Sequence, residues 1–83
     1  MISKKYRALG TRVYLRQDHP YSRSVHNPIG VFGTVIELGN KTTTPVRVRV
    51  EWDNGVLNSY TWEDLDLDPD WLDIQETKLG ELL

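Results

Sequence analysis

Residues 45–60 read PVRVRVEWDNGVLNSY. Val46, Val48, Val50 and Trp52 alternate with Arg47, Arg49 and Glu51. A period of two puts alternate side chains on opposite faces of a strand, here one apolar face and one charged face. Asp53-Asn54-Gly55 follows as a tight turn. Asn-Gly accepts the positive φ angles of two-residue hairpins, and Gly55 has no Cβ to oppose them. Val56, Leu57 and Tyr60 carry the chain back. The stretch predicts a β-hairpin with Trp52, Asn54, Gly55 and Asn58 in structural roles.

The same period marks the neighbouring elements. Residues 11–15 predict a first strand, with Val13 and Leu15 on one face and Arg12, Tyr14 and Arg16 on the other. A loop of about 15 residues follows, long enough that a compact domain usually keeps it for a reason. It spans residues 16–30 and contains Pro20, Asn27, Pro28 and Gly30. GTVIEL, residues 33–38, predicts the second strand, and residues 39–44 an exposed turn. After the hairpin, Leu65 and Leu67 alternate with Asp64, Asp66 and Asp68, which predicts a last short strand. Asp68-Pro69 then starts a helix: aspartate is a good N-cap, and proline fits the first helical position. Trp71, Ile74, Lys78 and Leu82 fall at near-helical spacing.

Five short strands in about 60 residues bury a core most economically by bending into a small barrel. The fold expected is all-β, a small five-stranded SH3-like barrel over residues 1–67. A C-terminal helical extension occupies residues 68–83, with Trp71 and Ile74 sealing the open end of the barrel.

The 83 residues leave room for one core only. There is no cysteine, which removes disulfides, thiol catalysis and cysteine-based zinc sites. A secreted domain of this size usually carries disulfides, so a cytoplasmic setting is expected. The basic N-terminus MISKKYRALG lacks the apolar core of a signal peptide. No apolar run approaches the roughly 18 residues of a membrane span, so no membrane partner is expected. The net charge of −2 hides an asymmetry. Residues 1–50 hold nine basic groups against Asp18 and Glu37, a balance of +7, and residues 51–83 hold ten acids against Lys78, a balance of −9. Such a split fits either a basic face for nucleic acid beside an acidic segment, or two halves that neutralise each other in the fold.

A family pattern runs through these elements. It consists of Gly10-x-Arg12-Val13 and Asp18, then Gly30-x-x-Gly33-Thr34-Val35, then Val48-x-Val50-x-Trp52-Asp53-Asn54-Gly55-x-x-Asn58-x-Tyr60 and Asp64-Leu65. Over residues 10–67 the chain resembles the mind bomb/HERC-type domain, an SH3-like barrel found in large ubiquitin ligases. The resemblance implies a non-enzymatic protein-interaction module, a reader of substrate tails with no catalytic residues. His19-Pro20-Tyr21 stands where the family carries a Trp-rich segment. No RING or HECT segment accompanies the domain, so ligase activity does not carry over.

The expected binding site is the groove between the 16–30 loop and the 46–60 hairpin. Its candidate contacts are Asp18, Tyr21, Arg23, His26, Tyr60 and Trp62, since aromatic and arginine side chains are enriched at contacts and aromatic grooves take extended peptides. The loop residues equally fit a solvated loop held down by Tyr21, Val25 and Ile29. Tyr60 fits either packing or contact. Arg12, Arg47 and Arg49 offer an alternative, a basic sheet face for nucleic acid, unless Glu37 and Glu51 pair with them across strands. A third reading is a free-standing viral or accessory inhibitor, or an assembly subunit. His19 and His26 with Asp18 match no metal-ligand spacing. No glycine elbow surrounds a serine, and residues 30–33 precede a strand rather than a helix, so they offer no phosphate cradle. No enzyme activity, metal or cofactor is expected.

Overall fold

The computed structural model describes residues 2–16, 30–39 and 47–81. It contains strands β1 (Arg12–Leu15), β2 (Phe32–Leu38), β3 (Arg47–Trp52), β4 (Leu57–Thr61) and β5 (Leu65–Leu67), followed by one helix, α1 (Pro69–Glu81). Single 3-10 turns occur at Lys4–Tyr6 and Trp62–Asp64. The strands form one antiparallel sheet in the order β4-β3-β2-β1-β5.

The expected barrel closure is not present. β4 and β5 are the two edges, and no ladder joins them among the described residues. The sheet is nonetheless curled. Four gaps of about 4.8 Å would hold flat edges ~19 Å apart, whereas a 3-10 turn rises only about 2 Å per residue. Three residues, Trp62–Asp64, carry the chain from one edge strand to the other. The edges therefore approach at this turn without pairing, because the Thr61 N–H goes to the Asp64 carboxylate at 3.1 Å rather than to a strand.

The alternation read from the sequence sets the two faces. Val13, Leu15, Val35, Val48, Val50, Trp52, Tyr60 and Leu65 are buried on the concave side. One irregularity in β2 could not be counted from the pattern. A bulge falls between Val35 and Glu37, so that Val35 pairs with Val50 and Glu37 with Arg49. Strict alternation from Val35 would turn Glu37 toward the core. The extra residue, Ile36, shifts the register by one, places Glu37 opposite exposed Arg49 and returns Leu38 to the face of Val48.

The hairpin also differs in detail from the two-residue form. Gly55 N–H donates to the Trp52 carbonyl at 2.8 Å, and Trp52 N–H donates to the Val56 carbonyl at 2.9 Å. The loop is thus three residues long, Asp53 to Gly55, and closes on a left-handed glycine. Gly55 has φ 90°, and no non-glycine described residue has positive φ. Asn54 instead accepts the Val56 N–H through Oδ1 at 3.1 Å. Trp52 is buried in the core, and Asn54 and Gly55 lie in the turn.

The N-terminal segment joins the core, which the sequence reading did not foresee. Ile2 and Tyr6 are buried with the sheet residues, and buried Thr11 donates through Oγ1 to the Tyr6 carbonyl at 2.6 Å. This segment carries the helix. The Tyr6 and Trp71 rings meet edge to face at 5.6 Å, and the Tyr6 hydroxyl donates to Glu76 Oε1 at 2.8 Å.

Helix α1 begins as the sequence predicts. Asp68 Oδ1 accepts the Asp70 N–H at 3.0 Å and the Trp71 N–H at 3.5 Å, and the Asp68 carbonyl accepts the Leu72 N–H at 2.9 Å. Asp68→Ala is expected to cost about 1 kcal/mol, read as a lowered urea midpoint with an unchanged slope. Trp71 packs on the core as anticipated, but Ile74 does not: it is 52% exposed, and Leu72 takes its place. Each helical residue advances about 100°, so a face centred between Trp71 and Leu72 lies about 110° from Ile74.

Candidate functional site

Inward placement of Val13 and Leu15 turns Arg12 and Tyr14 to the convex face of the sheet. Two cross-strand rows on that face meet near the hairpin turn. In the first, Phe32 lies opposite Tyr14, which lies opposite Asp66 on β5. In the second, Arg12 lies opposite Thr34, which lies opposite Glu51, which lies opposite Leu57.

The first row holds an aromatic pair. The Tyr14 and Phe32 rings stand edge to face, 6.0 Å apart at 85°. Phe32 is 38% exposed. Phe32 reaches this face because Gly33 packs inward beneath Trp52, as its neighbour in the pleat must. In sequence the pair flanks residues 16–30.

The hairpin turn is tied to the same place. Asp53 N–H donates to the Phe32 carbonyl at 2.9 Å. Arg12 forms a two-pronged bond to the Asp53 carboxylate, Nη1 to Oδ1 at 2.8 Å and Nη2 to Oδ2 at 2.6 Å, and Nη1 also reaches Thr34 Oγ1 at 2.9 Å. A guanidinium fork matches a carboxylate in this geometry and fixes its orientation. The hydrogen bonds from Arg12 hold the Asp53 carboxyl below its ordinary value of 3.8. A carboxylate whose folded value lies below its unfolded one stabilises the fold above the unfolded value, and that contribution is lost as pH falls through the folded value. Asp53→Asn is therefore expected to flatten the acid side of the stability-against-pH curve below about pH 4 and to leave neutral pH less affected. Urea midpoints at stepped pH measure this.

Of the residues expected to contact a partner, Asp18, Tyr21, Arg23 and His26 lie outside the described residues, as does His19. Tyr60 and Trp62, expected at the rim, are instead in the core at 3% and 6% exposure. The inward parity of β4 explains Tyr60, which lies opposite buried Val48. Its hydroxyl accepts the Trp52 Nε1–H at 3.1 Å, the rings pack edge to face at 5.6 Å, and burial pushes its phenol above the usual value. Trp62 turns inward in the 3-10 turn, with the Arg7 guanidinium 5.9 Å from its ring centroid. Asn58 serves the backbone, accepting the Ser59 N–H at 2.8 Å.

The alternative basic face is divided. Arg12 is held by Asp53, while Arg47 and Arg49 are exposed on β3 with Glu37 opposite Arg49. Glu51 stands in the row between Arg12 and Leu57. Phosphate binding by all three arginines would need the Arg12–Asp53 fork to open. Among the described residues no group of three His, Cys, Asp or Glu could hold a metal ion, and no helix is long and apolar enough to cross a membrane.

The aromatic pair was only half visible beforehand. Alternation with Val13 and Leu15 places Tyr14 outward, but Phe32 precedes the first residue of the strand read from GTVIEL. Its outward position follows only once Gly33 is known to lie inward.

No protein-family model, curated protein or solved structure matches this chain.

Proposed function

We propose that the chain is a non-enzymatic protein-interaction module of SH3-like build, akin to the mind bomb/HERC-type domains, that recognises an extended peptide on the convex face of its sheet. The observation that carries the reading is the Tyr14–Phe32 pair beside the hairpin turn, with Tyr14 half-buried and Phe32 exposed. Two rings at a right angle offer an apolar notch, the kind of surface on which extended peptides dock. The Arg12–Asp53 fork keeps the turn against Phe32, so the notch is formed before a partner arrives. The curled strand order and the turn motif 52–60 support the SH3-like part of the reading. Relative to the groove expected from sequence, the contact surface moves from Tyr60 and Trp62 to Tyr14 and Phe32.

Peptides selected from a random display library against the immobilised domain provide the probe. Phe32→Ala is expected to weaken binding of such peptides about tenfold or more, the loss typical of an aromatic anchor. Ile74→Ala, on the exposed face of α1, is expected to leave binding unchanged. Equal affinity for Phe32→Ala and wild type would sink the proposal.

A further inference from the structure

The β4 edge is closed in a way the sequence conceals. The Trp52–Val56 backbone bond and the register Val50 with Asn58 and Val48 with Tyr60 set which groups point where. Hydrogen-bonded and non-hydrogen-bonded pairs alternate along an antiparallel ladder. The Val56 carbonyl and residues 58 and 60 therefore direct their backbone groups to β3, and residues 57, 59 and 61 direct theirs to the sheet edge. No further strand lies beside β4 among the described residues. Its sequence, LNSYT, carries neither charge nor proline, which are the common deterrents to unwanted strand pairing. On that count the edge invites a sixth strand.

Two of its three outward N–H groups are already occupied. Asn58 Oδ1 takes the Ser59 N–H at 2.8 Å, and Asp64 Oδ2 takes the Thr61 N–H at 3.1 Å. Both acceptors are held in place. The Asn58 side chain also bonds Tyr60, and Asp64 belongs to a reciprocal capping box in which the Thr61 side chain accepts the Asp64 backbone N–H. The carbonyls of an added strand would meet donors that are already filled.

We infer that Asn58 and Asp64 seal the β4 edge against strand addition, both by a second copy of the chain and by an extended partner. The sealing leaves the convex face as the surface on which a peptide docks, and it rests on hydrogen bonds independent of that face. It also assigns Asp64 a use distinct from the surrounding acidic residues.

The test is Asn58→Ala/Asp64→Ala in the full chain, followed by backbone amide exchange at low concentration and sedimentation velocity over a concentration series. Exchange at Ser59 and Thr61 is expected to rise at least tenfold, and the variant is expected to gain mass with concentration where the wild type does not. Adding Leu57→Lys, a charge on the same edge, is expected to abolish the association. Unchanged exchange at both amides overturns the inference. So does faster exchange with wild-type mass, or association that Leu57→Lys leaves intact. Should the double variant fail to fold, Asn58→Ala alone retains the capping box. Faster exchange at its Ser59 amide together with mass that grows with concentration then supports the inference, and unchanged exchange or wild-type mass overturns it.

Discussion

Trp52→Ala is expected to cost about 3–5 kcal/mol, the range for removing a large aromatic side chain from a core. A domain of this length has a total stability of roughly 4–12 kcal/mol, so the variant sits near or beyond the point of unfolding. Three contacts concentrate the effect. Trp52 is 1% exposed, it lies against Gly33 on the neighbouring strand, and its indole N–H satisfies the hydroxyl of buried Tyr60. Alanine therefore leaves a cavity and removes one partner of a buried hydroxyl, and both changes destabilise. Urea unfolding followed by circular dichroism measures the loss. Trp52→Phe, which keeps most of the volume and loses the donor, is expected to fall between the two. A Trp52→Ala variant within about 1 kcal/mol of wild type would contradict the placement of this side chain at the centre of the core.

Gly33→Ala carries the second large effect. Alanine in place of glycine within a strand ordinarily gains about 0.5–1 kcal/mol. Here an added Cβ would stand 2.6 Å from Trp52 Cε3, 2.8 Å from Val50 Cγ1 and 2.9 Å from the Glu51 carbonyl oxygen. The ring could tilt, but the carbonyl belongs to the β2–β3 ladder and moves only with the strand. Overpacking of this kind costs about 1–3 kcal/mol, so the clash outweighs the propensity gain. The substitution is expected to lower the urea midpoint, and to do so less in a Trp52→Leu background, because the two changes share one contact. Strict additivity between them would show that the ring does not rest on Gly33.

The sequence carried the parts of this fold that depend on local periodicity. Val13 and Leu15 against Arg12 and Tyr14, and the valines of β3 against their arginines, sort into two faces by counting alone. Asp68-Pro69 announces the helix because capping is chemistry between near neighbours. What escaped depends on distant contacts. Ile2 and Tyr6 stand in a short basic segment without periodicity, and only Thr11, Trp71 and Glu76 give them a place. The bulge at Ile36 appears in no pattern, since one extra residue is defined by its partner strand. The open edges follow from the geometry of the Trp62–Asp64 turn, in which Asp64 takes a donor that a fifth, closing ladder would have used.

The candidate site divides in the same way. An aromatic residue followed by an outward-facing neighbour looks alike whether it lines a core or a groove. Tyr60 and Trp62 end the hairpin and so read as contact residues, but strand parity and the inward 3-10 turn draw both into the core. Tyr14 and Phe32 become a pair only through the β1–β2 register, although they stand far apart in sequence. The Arg12–Asp53 fork spans an even longer separation, and it converts a residue of the supposed basic face into a brace for the hairpin turn.

Amide chemical-shift mapping of the full chain tests recognition by the convex face. A display-selected peptide is titrated in, and backbone and aromatic signals are followed. The largest shifts are expected at Tyr14, Phe32 and Asp53, with the Trp52 indole and the β4 edge amides of Ser59 and Thr61 nearly unmoved. Shifts centred on β4 or on α1, with Tyr14 and Phe32 unmoved, would contradict it.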